Sequence, residues 1–337
     1  MNSYPEDEGY RAWFDQKNVL ITGGLGFLGS NLAIRLVALG ARVTLMDAML
    51  EDHGGNIFNI FEVKNQIKIN FSDVRDEGTL KYLIKEKDFI FHFAGQNDHV
   101  LSRRNPFLDI DINIKGTATL LENCRKYNPD VRLVYSGTRG EYGAAIRLPV
   151  SEDQPLHPRG IYELSSSSAQ QLFQIYNDND SLRSITLRLT NIYGERAQMK
   201  HNRFGVANWF VRLAIDDSEI SVFGDGTIIR DFLYVQDAVG AMIAAAATER
   251  AYGMVLNVGN DTASNFKELA ETVTRIAGAG LWKYAPFTPE RAAQEPGDFI
   301  SDISRIKRIV GWSPVVSLAD GMRRTIEFYR EHKEHYW

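Results

Sequence analysis

The chain is poor in several things, and each shortage excludes a class of protein. Among 337 residues there is one cysteine, Cys124, so no intrachain disulfide framework can exist and a reducing compartment suits it. A single thiol of this kind is ordinarily a small buried hydrophobe. Positive charge is not in excess: 38 Lys and Arg against 43 Asp and Glu leave a net charge of -5. Nothing in that balance would gather phosphate backbones, so nucleic acid is not an expected partner, and any phosphate must be met locally. Long apolar runs are missing too. Charge or glycine interrupts each one well before the roughly 18 residues of a membrane span, so no membrane partner is expected. The opening "MNSYPEDEGYRAWFDQK" is acidic and lacks the basic start and apolar run of a signal peptide. It reads as a tail or surface flap over 1–17, with a cytoplasmic address. His99 and His201 stand in no ligand spacing, so they read as surface or structural histidines and no metal is expected. There is no internal repeat.

What is present is alternation. "NVLITG" is a short apolar run ending in glycine, and "SNLAIRLVAL" then places apolar residues at helical spacing. "ARVTLMD", "QIKINFSDV", "DFIFHFAG", "VRLVYSG" and "SITLRLTNIYG" read as further strands. Helical segments such as "EGTLKYLIKE", "GTATLLENCRKY" and "RGIYELSSSSAQQLF" lie between them. Strands alternating with helices imply a parallel sheet covered on both faces, here of six or seven strands. Beyond residue 191 the alternation loosens. The expected fold is α/β, a Rossmann-type doubly wound parallel sheet with a smaller C-terminal substrate-binding lobe. Its expected division is 18–190 for the dinucleotide-binding part, with 230–260 returning to it, and 191–229 with 261–337 for the lobe.

"TGGLGFLG" puts Gly23, Gly26 and Gly29 at three-residue intervals directly after a strand and at a helix start. Glycine permits the tight turn, lets backbone approach a pyrophosphate, and lets helix pack closely on strand. The backbone of Phe27 and Leu28 then lies at a helix N-terminus, which favours negative charge. Asp47 ends the next strand about 20 residues on, as the dinucleotide fingerprint requires. Its carboxylate can accept from both ribose hydroxyls of NAD and would repel the extra phosphate of NADP, so NAD is the expected cofactor. The competing reading of Asp47 is a turn acid at a strand end.

With "TGGLGFLG", "SDVRD", "HFAGQ", "YSGTRGEYG", Tyr162, "LRLTNIYG" and "GDGTIIRDFLYVQD" in order, the chain resembles the extended short-chain dehydrogenase/reductases that modify nucleotide sugars. The likeness runs over nearly all of 18–330. The "AGQ" and "NWF" segments bring it nearest to bacterial nucleotide-sugar 4-epimerases. The resemblance implies that Asp73 and Val74 hold the adenine, that Ala94, Gln96 and Ser136 line the dinucleotide, and that Thr138 and Tyr162 form the catalytic hydroxyl pair. Such chemistry needs a phenol whose pKa is brought from about 10 toward neutrality. The resemblance also implies a nucleotide-sugar substrate, a UDP-sugar in the first instance, and a homodimer through helices near 107–127 and 160–177.

Two positions depart from the pattern. Ser166 stands where a lysine one helical turn after the tyrosine would lower its pKa and bind the nicotinamide ribose, and 163–173 contain no lysine. Residues four apart share a helix face, so the replacement is not a shift of frame. Removing the cation gives back about 1 to 3 pKa units. Three explanations stay open: chemistry retained with Arg139 or a water assisting, a lysine exchanged to trap a substrate complex, or loss of catalysis in a binding protein. The second departure is Glu295, where the resemblance puts a phosphate-binding arginine. Asp298 is kept, and Arg291 could substitute.

For the substrate, the resemblance points to Asn191, Asn208 and Arg230 at the phosphates and to Trp209 and Phe223 beside the base. Arg230 could instead be a loop charge paired with Asp231 or Asp237, and Trp209 could be core. Arg203 could reach a carboxylate or phosphate. The acids that related dehydratases and decarboxylases carry one or two residues after the threonine are replaced by Arg139 and Gly140. That favours oxidation at C4, rotation and re-reduction over elimination or decarboxylation. A noncatalytic binding protein and a 4-ketosugar reductase or dehydrogenase are the alternatives.

Overall fold

The computed structural model describes residues 5–51, 53–287 and 295–337. Seven strands form one parallel sheet: β1 (Asn18–Thr22), β2 (Arg42–Met46), β3 (Lys68–Asn70), β4 (Phe89–His92), β5 (Arg132–Thr138), β6 (Arg183–Leu189) and β11 (Val255–Val258). Their spatial order is β11, β6, β5, β4, β1, β2, β3, and every neighbouring pair is parallel. The chain order reverses direction beside β1, the crevice where doubly wound sheets bind ligands at their carboxyl ends. β1 is four-fifths buried apolar or polar core, with Val19, Leu20 and Ile21 at 0% exposure. That is what a strand covered on both faces requires.

Helices cover the two faces. α2 (Phe27–Ala38) and α9 (Val235–Ala246) pack on one side, and α9 is buried along its whole length. α3 (Glu77–Leu83), α6 (Gly116–Tyr127) and α7 (Ile161–Asp180) lie together on the other. Two separate apolar clusters result, one around Leu32, Leu36 and Val239 and one around Leu120, Leu133 and Phe173. Short α4 (His99–Arg104) and α5 (Pro106–Ile110) follow β4, and a wide π turn over Asp111–Lys115 leads into α6.

"SITLRLTNIYG" is not one strand. After β6 the chain leaves the sheet, and β7 (Asn191–Tyr193) pairs in parallel with β10 (Phe232–Tyr234) instead. The remaining pairs are β8 (Glu219–Phe223) with β13 (Leu281–Ala285) and β9 (Ile229–Arg230) with β12 (Ser264–Asn265). α8 (Val206–Ile215), α10 (Phe266–Ala277) and α12 (Leu318–His332) pack against one another beside them. α11 (Ser304–Val310) packs beside β11.

Residues 5–14, expected as a tail or flap, are folded. A 3₁₀ turn over Pro5–Tyr10 runs into α1 (Arg11–Phe14). Phe14 is fully buried with its ring 4.9 Å from that of Phe89. One fully buried aromatic contributes on the order of 1.5–3 kcal/mol, enough to dock so short a segment. Cys124 is buried at 0% and burial pushes its thiol far up, which leaves it an unreactive apolar filler. No helix among the described residues is long and apolar enough to cross a membrane.

Candidate active site

The turn after β1 is built as the glycine spacing requires. Gly23 has φ +68°, and a Cβ there would lie 2.8 Å from the backbone of Phe93 and Ala94. A Cβ on Gly29 would meet the Gly23 carbonyl at 2.4 Å, so α2 can rest on the turn only because residue 29 has no side chain. No side chain caps α2 at Gly26, so its first N–H groups are left for an anion. Asp47 accepts from the Leu25 and Met49 N–H groups, each at 2.9 Å. Burial raises its pKa, against those two bonds.

Gly23, Gly26, Phe27, Leu28, Gly29 and Asp47 open onto one cavity of about 420 Å³. Asp73, Val74, Ala94, Gln96 and Ser136 line it further along, as do Thr138, Tyr162 and Ser166. Asp73 is also tied to Arg75, which donates through Nε at 2.8 Å and Nη2 at 2.6 Å. The Gln96 amide is committed to the Asp98 carbonyl and to Asp109 at 3.0 Å. The residues fit a dinucleotide: a side-chain-free cradle at a helix start, and a carboxylate on the next strand end.

Tyr162 and Thr138 come from different elements, the start of α7 and the end of β5. The Thr138 hydroxyl hydrogen-bonds the phenol. Burial is the largest influence on Tyr162 and raises its pKa well above the ordinary value, and the Glu163 and Glu141 carboxylates push the same way. Thr138 opposes them without prevailing.

The Ser166 hydroxyl donates to Glu141 Oε1 at 2.8 Å. That oxygen also accepts from the Thr138 N–H at 2.9 Å. Glu141 is wholly buried, and its other oxygen lies 3.3 Å from Arg188 Nε. Arg188 is itself held by Gln170 and by the Tyr142 hydroxyl at 2.7 Å. Where the resemblance puts an ammonium, the protein therefore has a hydroxyl and a carboxylate whose charge is answered on its far side. A Cβ on Gly137 would sit 2.7 Å from Glu141 Oε1, so that glycine makes the room.

Arg139 lines the cavity beside Thr138. Burial, and then Arg230, lower its pKa to about 10, so it stays a cation at neutral pH. Its Nη2 donates to Asn191 Oδ1 at 3.3 Å. Asn208 lines the same cavity, and its Oδ1 accepts from the Gly194 N–H at 3.0 Å.

Arg230 behaves otherwise than expected. Its Nη1 donates to the Ile229 and Gly297 carbonyls at 2.8 and 2.6 Å, and Nη2 pairs with Glu295. It is 2% exposed and lines neither cavity. Its partner is thus Glu295, not Asp231 or Asp237, so the expected cation and the one unexpected anion neutralise each other. Asp298 is exposed and accepts from the Ile229 N–H at 2.9 Å, which fixes the loop. Arg291 lies outside the described residues.

Trp209 and Phe223 line a second cavity of about 950 Å³ with Arg103, Arg104 and Glu295. Trp209 is not core: it is half-buried, with the Arg212 guanidinium 5.1 Å from its ring centroid. The two cavities share Arg203 and Val206 in their walls. Among the described residues no cluster of His, Cys, Asp and Glu could hold a metal.

Four residues here escaped the sequence reading. Glu141 and Arg188 are 47 positions apart in the chain and meet only because β5 and β6 are neighbours. His99 is exposed, its side chain 54% so, as the surface reading has it, and it also lines the first cavity with its ring centroid 5.0 Å from that of Tyr162. Glu163, the residue after the tyrosine, accepts from or pairs with its Nδ1 at 2.8 Å.

A glycine-cradled cavity at the carboxyl end of a parallel sheet, with an acid at the second strand and a Thr–Tyr hydroxyl pair, defines an extended short-chain dehydrogenase/reductase of Rossmann type. Residues 19–259 match the NAD dependent epimerase/dehydratase family, and the chain belongs to it. NAD is the cofactor of that family, and the residues of the glycine cradle fit it. The chain is 31% identical over 322 residues to UDP-glucose 4-epimerase of Mycolicibacterium smegmatis, covering 94% of this chain and 99% of that one. The structure of epimerase Mth375 from Methanothermobacter thermautotrophicus superposes with a TM-score of 0.90 at 26% identity, over 97% of this chain and 96% of that one. UDP-glucose 4-epimerase of Thermus thermophilus in complex with NAD gives a TM-score of 0.82 at 26% identity, over 93% and 99%.

Proposed function

We propose that the protein is an NAD-dependent nucleotide-sugar 4-epimerase that oxidises C4, lets the keto-sugar rotate, and returns hydride from retained cofactor. The observation that carries this is the adjacency of the two cavities: the dinucleotide cradle runs to Thr138 and Tyr162, and a chamber with an aromatic wall and the guanidinium groups of Arg103 and Arg104 shares the wall residues Arg203 and Val206 with it. Arg103 and Arg104 form no ion pair among the described residues, so the diphosphate of a UDP-sugar would meet them, beside Arg203, which is paired with Asp98 at 3.0 Å. Trp209 and Phe223 would flank the base, and Asn191 and Asn208 would lie toward the sugar.

Within this reading Thr138 and Tyr162 hold the sugar oxygen. Tyr162, with its pKa raised, does so as a hydrogen-bond donor. No carboxylate is encoded at 139 or 140, which disfavours elimination of water and decarboxylation. The test is a panel of UDP-, dTDP-, CDP- and GDP-sugars given to the NAD-loaded protein. Interconversion of a 4-epimeric pair without net cofactor consumption is expected. Net consumption of external nicotinamide would instead identify a reductase or dehydrogenase. A binding protein without turnover is the second reading, favoured by the carboxylates that surround Tyr162 where a cation is usual.

The reading includes a homodimer. Phe107, Ile110, Leu164 and Ile175 are exposed at 78, 42, 53 and 50% on the helical segments expected to pair. Sedimentation as a monomer at micromolar concentration would remove that part. A cytoplasmic address accords with the lone reduced cysteine.

A further inference from the structure

We propose that His99 is the proton acceptor of the sugar site, a catalytic residue oriented by Glu163. The inference rests on the proposed C4 oxidation and says which group takes the proton.

His99 begins α4, whose N-terminus is capped by Asp98 accepting from the Val100 and Leu101 N–H groups at 2.9 and 3.0 Å. The cap fixes the helix start, and with it the ring. Nδ1 lies 2.8 Å from Glu163 Oε1 across the gap to α7. The ring stands edge-on to Tyr162 at 85°. Nε2 makes no hydrogen bond with any described residue, and the residue lines the cavity that Thr138, Tyr162 and Ser136 line.

Glu163 has a seat of its own. A Cβ on Gly140 would lie 2.8 Å from Glu163 Cγ, and one on Gly160 2.2 Å from Oε2. Two side-chain-free positions therefore admit this carboxylate, which is only 14% exposed. Burial raises its pKa, but the hydrogen bond from His99, the charge of that ring once it is protonated, and the charge of Arg139 outweigh this and leave it lowered. An ionised carboxylate on Nδ1 selects the tautomer with the proton there and the lone pair on Nε2, and it stabilises the imidazolium that forms.

Tyr162 is poorly suited to be the base, because burial first, and then the Glu163, Glu141 and Asp109 carboxylates, hold its pKa up. In the step we assign, the substrate O–H proton passes to the Nε2 lone pair. The O–H electron pair becomes the second bond of the carbonyl, and the C–H pair leaves as hydride to the oxidised nicotinamide. Tyr162 and Thr138 donate to the oxygen throughout. On return, Nε2–H gives the proton back as hydride re-adds, so electrons and protons balance. Glu163 is a positioning residue and exchanges no proton.

The test has two arms. Imidazole nitrogen NMR on the protein without cofactor should show His99 protonated at Nδ1 and bare at Nε2, a preference that Glu163→Gln removes. Stopped-flow reduction of nicotinamide by a sugar nucleotide should slow by about 10²- to 10⁴-fold in His99→Gln and on the order of tenfold in Glu163→Gln. Sugar-nucleotide affinity should stay within about threefold of wild type. A proton on Nε2, a tautomer indifferent to Glu163→Gln, or a wild-type rate in His99→Gln would overturn the assignment. If His99→Gln does not fold, the tautomers of wild type and Glu163→Gln decide it. If wild type reduces nicotinamide with no sugar nucleotide of the panel, the proposed function falls and the role of His99 with it. Reduction that survives in His99→Gln removes His99 alone.

Discussion

Ser166 and Glu141 are joined by a buried hydrogen bond of 2.8 Å, from α7 to the turn after β5. A lysine at 166 would meet that carboxylate before it could act on Tyr162. Ser166→Lys alone is therefore expected to raise the rate of nicotinamide reduction only slightly. Ser166→Lys with Glu141→Gln should exceed it by about tenfold or more, since a free cation lowers a neighbouring phenol by about 1 to 3 pKa units and so makes Tyr162 the stronger donor to the sugar oxygen. A double-mutant cycle measures the coupling, and strict additivity would refute it.

Glu141 also answers the charge of Arg188, which is 5% exposed. Glu141→Ala leaves that guanidinium buried without its counter-charge and is expected to cost about 3–5 kcal/mol. Urea unfolding of the purified variant checks this. A cost below about 1 kcal/mol would mean that Gln170 and Tyr142 suffice.

Gly160→Ala should disturb the pair between Glu163 and His99 without replacing either residue. The added methyl would sit 2.2 Å from Glu163 Oε2. The expected result is loss of the His99 tautomer preference together with a stability cost of about 1–3 kcal/mol from overpacking. An unchanged imidazole spectrum in a fully folded variant would contradict it.

Asp47→Asn removes the charge that would receive the ribose and, because the Leu25 and Met49 N–H groups go to different carboxylate oxygens, also gives up one of those two bonds. Charge-assisted hydrogen bonds are worth about 1.5–3 kcal/mol, so NAD affinity should fall roughly 10- to 100-fold and discrimination against NADP should shrink. Calorimetric titration of the variant with both dinucleotides gives the two numbers.

His92 supplies a pH dependence of stability. The Thr22 hydroxyl lies 2.7 Å from Nδ1 and Thr117 Oγ1 3.1 Å from Nε2. Thr117 already donates to the Asn113 carbonyl, so Thr117 accepts from Nε2–H, Thr22 donates to Nδ1, and the ring is held neutral. Burial lowers its pKa to about 4 from the ordinary 6.5. Between those values the unfolded chain binds the extra proton, so this stability is complete above about pH 6.5 and is lost as pH falls through about 4, a change of roughly 3 kcal/mol. Urea midpoints across that window should fall for wild type and flatten in His92→Gln.

The cradle was legible because its constraints are local. Gly23, Gly26, Gly29 and Asp47 act through backbone geometry and strand order, which a spacing expresses directly. The helices α2, α6 and α7 were legible for the same reason, as periodic apolar faces. "SITLRLTNIYG" misled because β-forming composition runs through Thr190, while the change of sheet there depends on the pairing of Asn191 with Phe232. The N-terminal segment misled because one residue, Phe14, docks an otherwise acidic stretch.

Sequence alone thus determined the fold class, the glycine-built turn and the helix that carries Tyr162 with Ser166 one turn on, because strand-helix periodicity and glycine spacing act over a few residues. Tertiary structure decided the charges at the chemistry. Ser166 with Glu141, Arg230 with Glu295, and His99 with Glu163 lie 25, 65 and 64 positions apart. Electrostatic interaction depends on distance and burial in space, and neither is encoded by any spacing along the chain.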